Sequence, residues 1–155
     1  MTTRDHIFAF ETDFAGALYC IPMVVRRKLD QCGVKVSLKQ WNRFALEERE
    51  QLVTRSCETE SDVNEYGRLV VELIQARTQS PAELVAKDPG RDWNDTTHVP
   101  QRLIDYANNL NVRPPTLQQW AALAPLQRFA LFKLTRPGHS NDNFIPAMRE
   151  FGLID

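Results

Sequence analysis

Long apolar runs are missing from this 155-residue sequence, and their absence argues against a membrane-spanning protein. No window approaches the roughly 18 to 20 uncharged apolar residues that a membrane-spanning helix needs. The segment from Met1 to Phe14 mixes acids with apolar residues, which is not the basic-then-apolar pattern of a secretory signal. We therefore expect a cytoplasmic protein with no membrane partner.

Cysteine is scarce, with only Cys20, Cys32 and Cys57 at wide spacing. This pattern predicts neither a disulfide framework nor a Cys-x-x-Cys metal site, so we expect buried, reduced thiols. Two alternatives stay open: a nucleophile formed by Cys20 or Cys57 with His139, and a mixed metal site built from the same three residues. No local motif supports either one, and Gly-x-Gly-x-x-Gly and Walker loops are absent. The sequence thus predicts no catalytic residue, no metal and no cofactor.

Net charge is also small, at −1, but the charges are unevenly placed. Residues 21–45 hold six Lys or Arg against one acid, whereas residues 47–65 hold seven acids against two bases. A protein that binds nucleic acid is normally basic overall. We therefore expect no nucleic-acid partner, although the basic segment is the one feature that would favour it.

Helix signals recur along the chain and clear strand alternation does not, so the sequence predicts an all-α protein. The clearest element is a stripe of apolar residues at a period of 3.6 over residues 61–79, with Ser61 as its N-cap. A second helix begins near Ile21, with Pro22 in its first turn, and ends at Gly33.

Three further segments have recognisable local patterns. SPAELVA predicts a short helix with Ser80 as its N-cap and Pro81 in the first turn. Residues 87–100, KDPGRDWNDTTHVP, are rich in turn formers and predict a long loop. An apolar face from Leu126 to Thr135 predicts another helix, which a Pro-Gly pair ends.

An internal repeat organises these helices. Residues 37–52, SLKQWNRFALEEREQL, match residues 116–131, TLQQWAALAPLQRFAL, at an offset of 79 positions. The repeat predicts a single-domain multi-helix bundle with a duplicated helix–turn–helix–helix unit, in residues 21–57 and again in residues 100–136. Trp41 and Trp120 are the expected core anchors, and the equivalent Arg49 and Arg128 are expected to bond to a carboxylate or to helix-end carbonyls.

The segment LTRPGHSNDNF, residues 134–144, gathers charged and amide side chains around the Pro-Gly pair. Much of it is explained as a junction, in which Ser140 or Asn141 caps the final helix. The junction does not explain Lys133, Arg136 and His139. These residues lie beside the start of that helix, where backbone N–H groups favour an anion.

Two interpretations of this cationic cluster stay open. In one the cations bind an anion or a partner, and in the other Glu11, Asp13 or Glu150 neutralises them internally. The candidate binding residues are Lys133, Arg136, His139, Asn141 and Asn143, with Arg26 and Lys28 from the basic segment.

Two long stretches resemble the opening and closing parts of the nitrate-reductase-associated protein family. They are FETDFAGALYCIPMVVRRKLDQCGVKVSLKQW, residues 10–41, and LQRFALFKLTRPGHSNDNFIPAMREFGL, residues 126–153. With Cys57, Tyr66, Trp93 and Trp120 between them, the resemblance covers nearly the whole chain. It implies a small bacterial protein encoded near nitrate reductase and molybdopterin genes, and it implies no particular reaction.

These features together predict a non-catalytic accessory protein of bacterial nitrate assimilation. The partner that the resemblance implies is nitrate reductase or a protein that delivers its molybdenum cofactor. The alternative is a binder or enzyme for a small anionic ligand such as a pterin phosphate, held by Lys133, Arg136 and His139.

Overall fold

The computed structural model describes residues 6–12, 16–136 and 142–155. These residues form eight α-helices, a short 3-10 helix at Ala9–Glu11 and one two-stranded antiparallel sheet. The predicted helical class is therefore confirmed. None of the helices in the described ranges combines the length and the apolar content needed to cross a membrane.

The chain divides into two compact units, Met1–Pro89 and Gly90–Asp155. The single-domain organisation and the internal duplication stay predictions. The elements of the first unit are α1 (Met23–Cys32), β1 (Val34–Lys35), α2 (Leu38–Trp41), α3 (Leu46–Thr54), α4 (Glu60–Thr78) and β2 (Glu83–Leu84). Those of the second unit are α5 (Gln101–Asn109), α6 (Leu117–Ala122), α7 (Pro125–Leu134) and α8 (Phe144–Glu150).

Helix α1 follows its sequence signals closely. It starts directly after Pro22 and ends at Gly33, whose φ of 72° is the left-handed conformation expected there. A Cβ at Gly33 would lie 2.6 Å from the backbone oxygen of Val85, so glycine also lets the strand β2 approach. The predicted helix and its C-cap are confirmed.

Helix α4 is the longest in the described chain, and its predicted N-cap is wrong. Thr59, not Ser61, accepts a hydrogen bond from the backbone N–H of Asp62 and forms a capping box with that residue. The predicted apolar stripe is buried at Tyr66, Val70 and Ile74. The Tyr66 hydroxyl donates to the Leu52 carbonyl at 2.6 Å, which joins α4 to α3.

The helix predicted for SPAELVA is also wrong, because this segment contributes β2. Leu84 pairs with Val34, and the backbone N–H of Val85 donates to the Gly33 carbonyl. The Ser80 hydroxyl bonds to the Thr78 carbonyl instead of capping a new helix. Pairing with β1 satisfies the backbone of this short segment, and this long-range contact outweighs its local helix preference.

The second unit begins with the predicted long loop, which is free of helix and strand up to Pro100. Trp93 is buried and meets the ring of Phe129 edge to face, with 5.5 Å between ring centroids. Trp120 on α6 is fully buried, and α7 occupies almost the predicted range. The loop therefore contributes to the core of this unit.

Candidate functional site

Lys28 lies on α1 and has a structural role. Its ammonium group donates to the carbonyls of Val53 and Arg55, at 2.7 and 2.5 Å, where α3 ends. It also lies 5.8 Å from the centroid of the Tyr66 ring. Burial lowers the pKa of Lys28 from its usual value. The structure thus uses Lys28 to hold the end of one helix against another, and its predicted binding role stays a prediction.

Arg26 and Glu11 both lie at the start of α1. The Arg26 Nε–H donates to the Ile21 carbonyl at 3.1 Å. The carboxylate of Glu11, which is fully buried, accepts from the backbone N–H of Met23 and from that of Phe8, both at 3.1 Å. Since Met23 is the first residue of α1, Glu11 satisfies a terminal N–H at the positive end of the helix.

The cationic cluster predicted near the C-terminus is described only in part. His139, Asn141 and Asp13 lie outside the described residues. Lys133 is half-buried, with its ammonium 5.4 Å from the centroid of the Phe129 ring, and Arg136 is exposed. Asn143 is the N-cap of α8 and makes no side-chain capping bond. Anion binding by this cluster and its internal neutralisation both stay predictions.

A tryptophan and an arginine of the first repeat donate hydrogen bonds to the same loop carbonyl. The indole N–H of Trp41 and a guanidinium N–H of Arg49 both donate to the Leu18 carbonyl at 2.8 Å. Leu18 is buried and has a φ of 60°, an uncommon conformation for a branched residue. We call this pair of bonds the Trp–Arg clamp of the first unit.

The equivalent residues of the second repeat form a similar clamp. The Trp120 indole donates to the Asp95 carbonyl at 3.0 Å, and Arg128 donates to the Asn94 side-chain oxygen at 3.0 Å. Arg128 also donates to the carbonyl of Leu123, the C-cap of α6, which is the helix-end role predicted for it. Both tryptophans and both arginines therefore have structural roles.

The buried thiols of the first unit are poor nucleophiles. Burial raises the pKa of Cys57 to about 12 and also raises that of Cys32. Only a small fraction of either thiol is then thiolate at neutral pH, and the thiolate is the reactive form. Within the described ranges, no three His, Cys, Asp or Glu residues are grouped so that they could hold a metal ion.

Alkylation should separate the three cysteines. At pH 8 we expect iodoacetamide to modify the half-exposed Cys20 first, and to modify Cys32 and Cys57 only after the chain unfolds. The folded state favours the protonated Cys57, and this preference is lost only as the pH rises toward about 12. Mass spectrometry of native and urea-treated protein checks this. Modification of native Cys57 at its urea rate would contradict the result.

An apolar groove opens between α4 and the small sheet. Its volume is about 420 Å³, and Cys32, Val34, Val63, Val71 and Leu84 supply the apolar part of its lining. Asn64, Arg68 and Glu72 line its polar part. Leu84 is 71% exposed, and the neighbouring Val85 is exposed too. We call this feature the α4–β2 groove.

The strand beside this groove has an open edge in the part of the chain that the structure describes. Alternate residues of an antiparallel strand direct their backbone groups to opposite edges. The Val85 N–H points to β1, so the N–H and C=O of Leu84 lie on the far edge. The helix predicted for SPAELVA hid this site, because it placed Leu84 outside any sheet. Only the long-range pairing with Val34 reveals the strand.

A comparison with known protein families shows to which family the chain belongs. The model of the conserved nitrate reductase-associated protein family matches residues 7–151. The chain belongs to this family. The resemblance found in the sequence is therefore confirmed. No curated protein and no solved structure matches this nitrate reductase-associated protein.

Proposed function

We propose that this nitrate reductase-associated protein is a non-catalytic accessory protein of nitrate assimilation that binds nitrate reductase directly. The family match over residues 7–151 carries the proposal, since the family is described by its association with that enzyme. The raised pKa of Cys57 keeps that thiol protonated, which argues against Cys57 as a nucleophile. The molybdenum-cofactor delivery protein, the other predicted partner, lacks this support.

The α4–β2 groove is the surface that we assign to this partner. Leu84 presents an exposed apolar side chain and outward-facing backbone groups together, which suits the addition of an extended peptide strand. Charges of both signs border it, because Lys35 and Glu83 form an ion pair on the strands and Arg68 and Glu72 line α4. We therefore expect an extended, largely apolar segment of nitrate reductase with little net charge.

A charge on this surface should disrupt the complex. We expect Leu84→Asp to weaken the affinity for purified nitrate reductase by about tenfold or more, because a buried apolar anchor would become an unpaired carboxylate. Biolayer interferometry with both purified proteins measures the effect. Leu84 is exposed, so the variant should keep the wild-type melting temperature.

Leu117→Asp is the matched control. Leu117 is a leucine at the first position of α6 and is 47% exposed, so the same change adds the same charge outside the groove. Its affinity should equal that of the wild type. Equal losses in both variants would show a general charge effect and contradict the groove, and no binding by the wild-type chain would contradict the association itself.

We also infer that the two units arose by duplication. The Trp–Arg clamps support this, because residues 79 positions apart in the repeat donate hydrogen bonds to the loop that precedes the first α-helix of each unit. Both short helices, α2 and α6, also start with the same capping box. An experimental structure in which residues 37–52 and 116–131 follow unlike backbone paths would contradict the inference.

A further inference from the structure

A polar cavity of about 400 Å³ lies in the first unit, between α2 and the C-terminal end of α4. Every lining residue that the structure describes is polar, and two of them, Lys39 and Arg43, are cationic. The described part of the lining contains no acid, and its other members are Ser37, Gln40, Thr78 and Ser80. A cavity of this size falls in the range of small-molecule sites.

Capping of α4 does not explain the two cations. Basic side chains commonly gather at a helix C-terminus to bond its last carbonyls. Here groups of residues 78–80 already donate hydrogen bonds to several of those carbonyls. Thr78 bonds to Ile74, Gln79 bonds to Gln75 and Ala76, and Ser80 bonds to Thr78. The helix end therefore does not require Lys39 or Arg43.

Nor are these cations neutralised by an acid nearby. Glu48, on the following helix α3, is held by Arg77 through two bonds of 2.9 and 3.0 Å. Lys39 and Arg43 form no ion pair with any residue that the structure describes, and both are exposed. Their charges are thus available to a ligand.

The neutral residues add donors with fixed directions. The Gln40 side-chain oxygen accepts from the backbone N–H of Ser37, and the Ser37 hydroxyl accepts from the backbone N–H of Gln40. Because both acceptor groups are engaged within the turn, the Gln40 amide N–H groups and the Ser37 hydroxyl proton remain to donate. These donors and the two cations suit the oxygens of a tetrahedral anion.

We propose that this cavity binds a small phosphate monoester. Lys39 and Arg43 hold the phosphate, and Gln40 and Ser37 donate to its oxygens. The cavity is larger than a single phosphate requires, and the lining residues that the structure describes combine polar groups with aliphatic stems, so the remainder of the site suits a hydroxylated carbon skeleton, as in a sugar phosphate. This site differs in place and residues from the cationic cluster predicted near the C-terminus.

Calorimetric titration of the full chain with ribose 5-phosphate tests the site. At constant ionic strength, we expect saturable binding that is tighter than that of inorganic phosphate, with no heat from matched chloride. Lys39→Gln and Arg43→Gln should each weaken binding by about tenfold or more, and the double variant should abolish it. Amide spectra by NMR should show ligand-dependent shifts at Ser37 and at the Gln40 side chain.

Arg55→Gln is the control, because Arg55 is an exposed arginine of the same unit that lies outside the cavity. It should bind the ligand as the wild type does. Unliganded variants should keep the wild-type melting temperature, since Lys39 and Arg43 are exposed. The site is refuted if the wild type shows no saturable binding, if the double variant retains it, or if Arg55→Gln loses it equally.

Discussion

Replacing Trp120 with Ala should lower the free energy of unfolding by about 3 to 5 kcal/mol, and Trp41→Ala should have a similar effect. Both side chains are fully buried, so truncation leaves a large cavity that the surrounding structure fills only partly. Each variant also loses an indole N–H bond, to the Asp95 carbonyl or to the Leu18 carbonyl. Urea denaturation followed by circular dichroism measures the loss.

A matched variant separates packing from hydrogen bonding. Trp120→Phe keeps most of the aromatic volume but removes the indole N–H, so we expect it to cost about 1 to 2 kcal/mol, clearly less than the alanine variant. Equal costs for the two variants would assign the effect to the hydrogen bond. A midpoint unchanged in Trp120→Ala would mean that the side chain is not part of the core.

Removing the buried carboxylate of Glu11 should have the second largest effect. We expect Glu11→Ala to cost about 3 kcal/mol or more, because hydrogen bonds to a charged group contribute about 1.5 to 3 kcal/mol each. The change leaves the N–H groups of Met23 and Phe8 without their acceptor, one of them at the first position of α1. Thermal and urea denaturation provide the measurement.

Two substitutions control this result. Glu65→Ala removes an exposed glutamate from α4 and should change stability by less than about 0.5 kcal/mol. Glu11→Gln keeps one oxygen acceptor but turns an amide N–H toward a backbone donor, so it should fall between wild type and Glu11→Ala. A cost below about 1 kcal/mol for Glu11→Ala would show that water replaces the carboxylate easily.

Local signals in the sequence were sufficient for much of the helical structure. The boundaries of α1 are set by Pro22 and Gly33, which act within one turn of their own positions. The stripe of α4 identified the buried face, but two polar residues two positions apart, Thr59 and Ser61, both suit an N-cap. In the structure Thr59 is the N-cap, because its hydroxyl oxygen accepts a hydrogen bond from the backbone N–H of Asp62.

The errors arose where distant contacts outweigh local preference. Residues 80–86 have an acceptable helix pattern, yet β2 forms because β1 is held beside it after the left-handed turn at Gly33. The bonds of Lys28 to the end of α3 were likewise not foreseen, since its spacing in sequence does not show that these carbonyls lie within its reach, and its partner binding stays a prediction. Neither contact leaves a local signal.

The two proposed surfaces were hidden for the same reason. The cavity of Lys39 and Arg43 exists because the end of α4 returns to α2, across almost forty residues of chain, and the sequence showed only an excess of positive charge there. The α4–β2 groove depends on the sheet that the helix prediction excluded. Residue types were visible in the sequence, but their grouping was not.

The clamp on Leu18 also has a consequence for the order of folding. Its two donors lie 23 and 31 residues further along the chain. Closing loops of this length has an entropic cost that native contacts offset only once both ends are in place. In a growing chain both bonds of the clamp can be present only after Arg49 has emerged from the ribosome, so we expect residues 16–22 to reach their final position late.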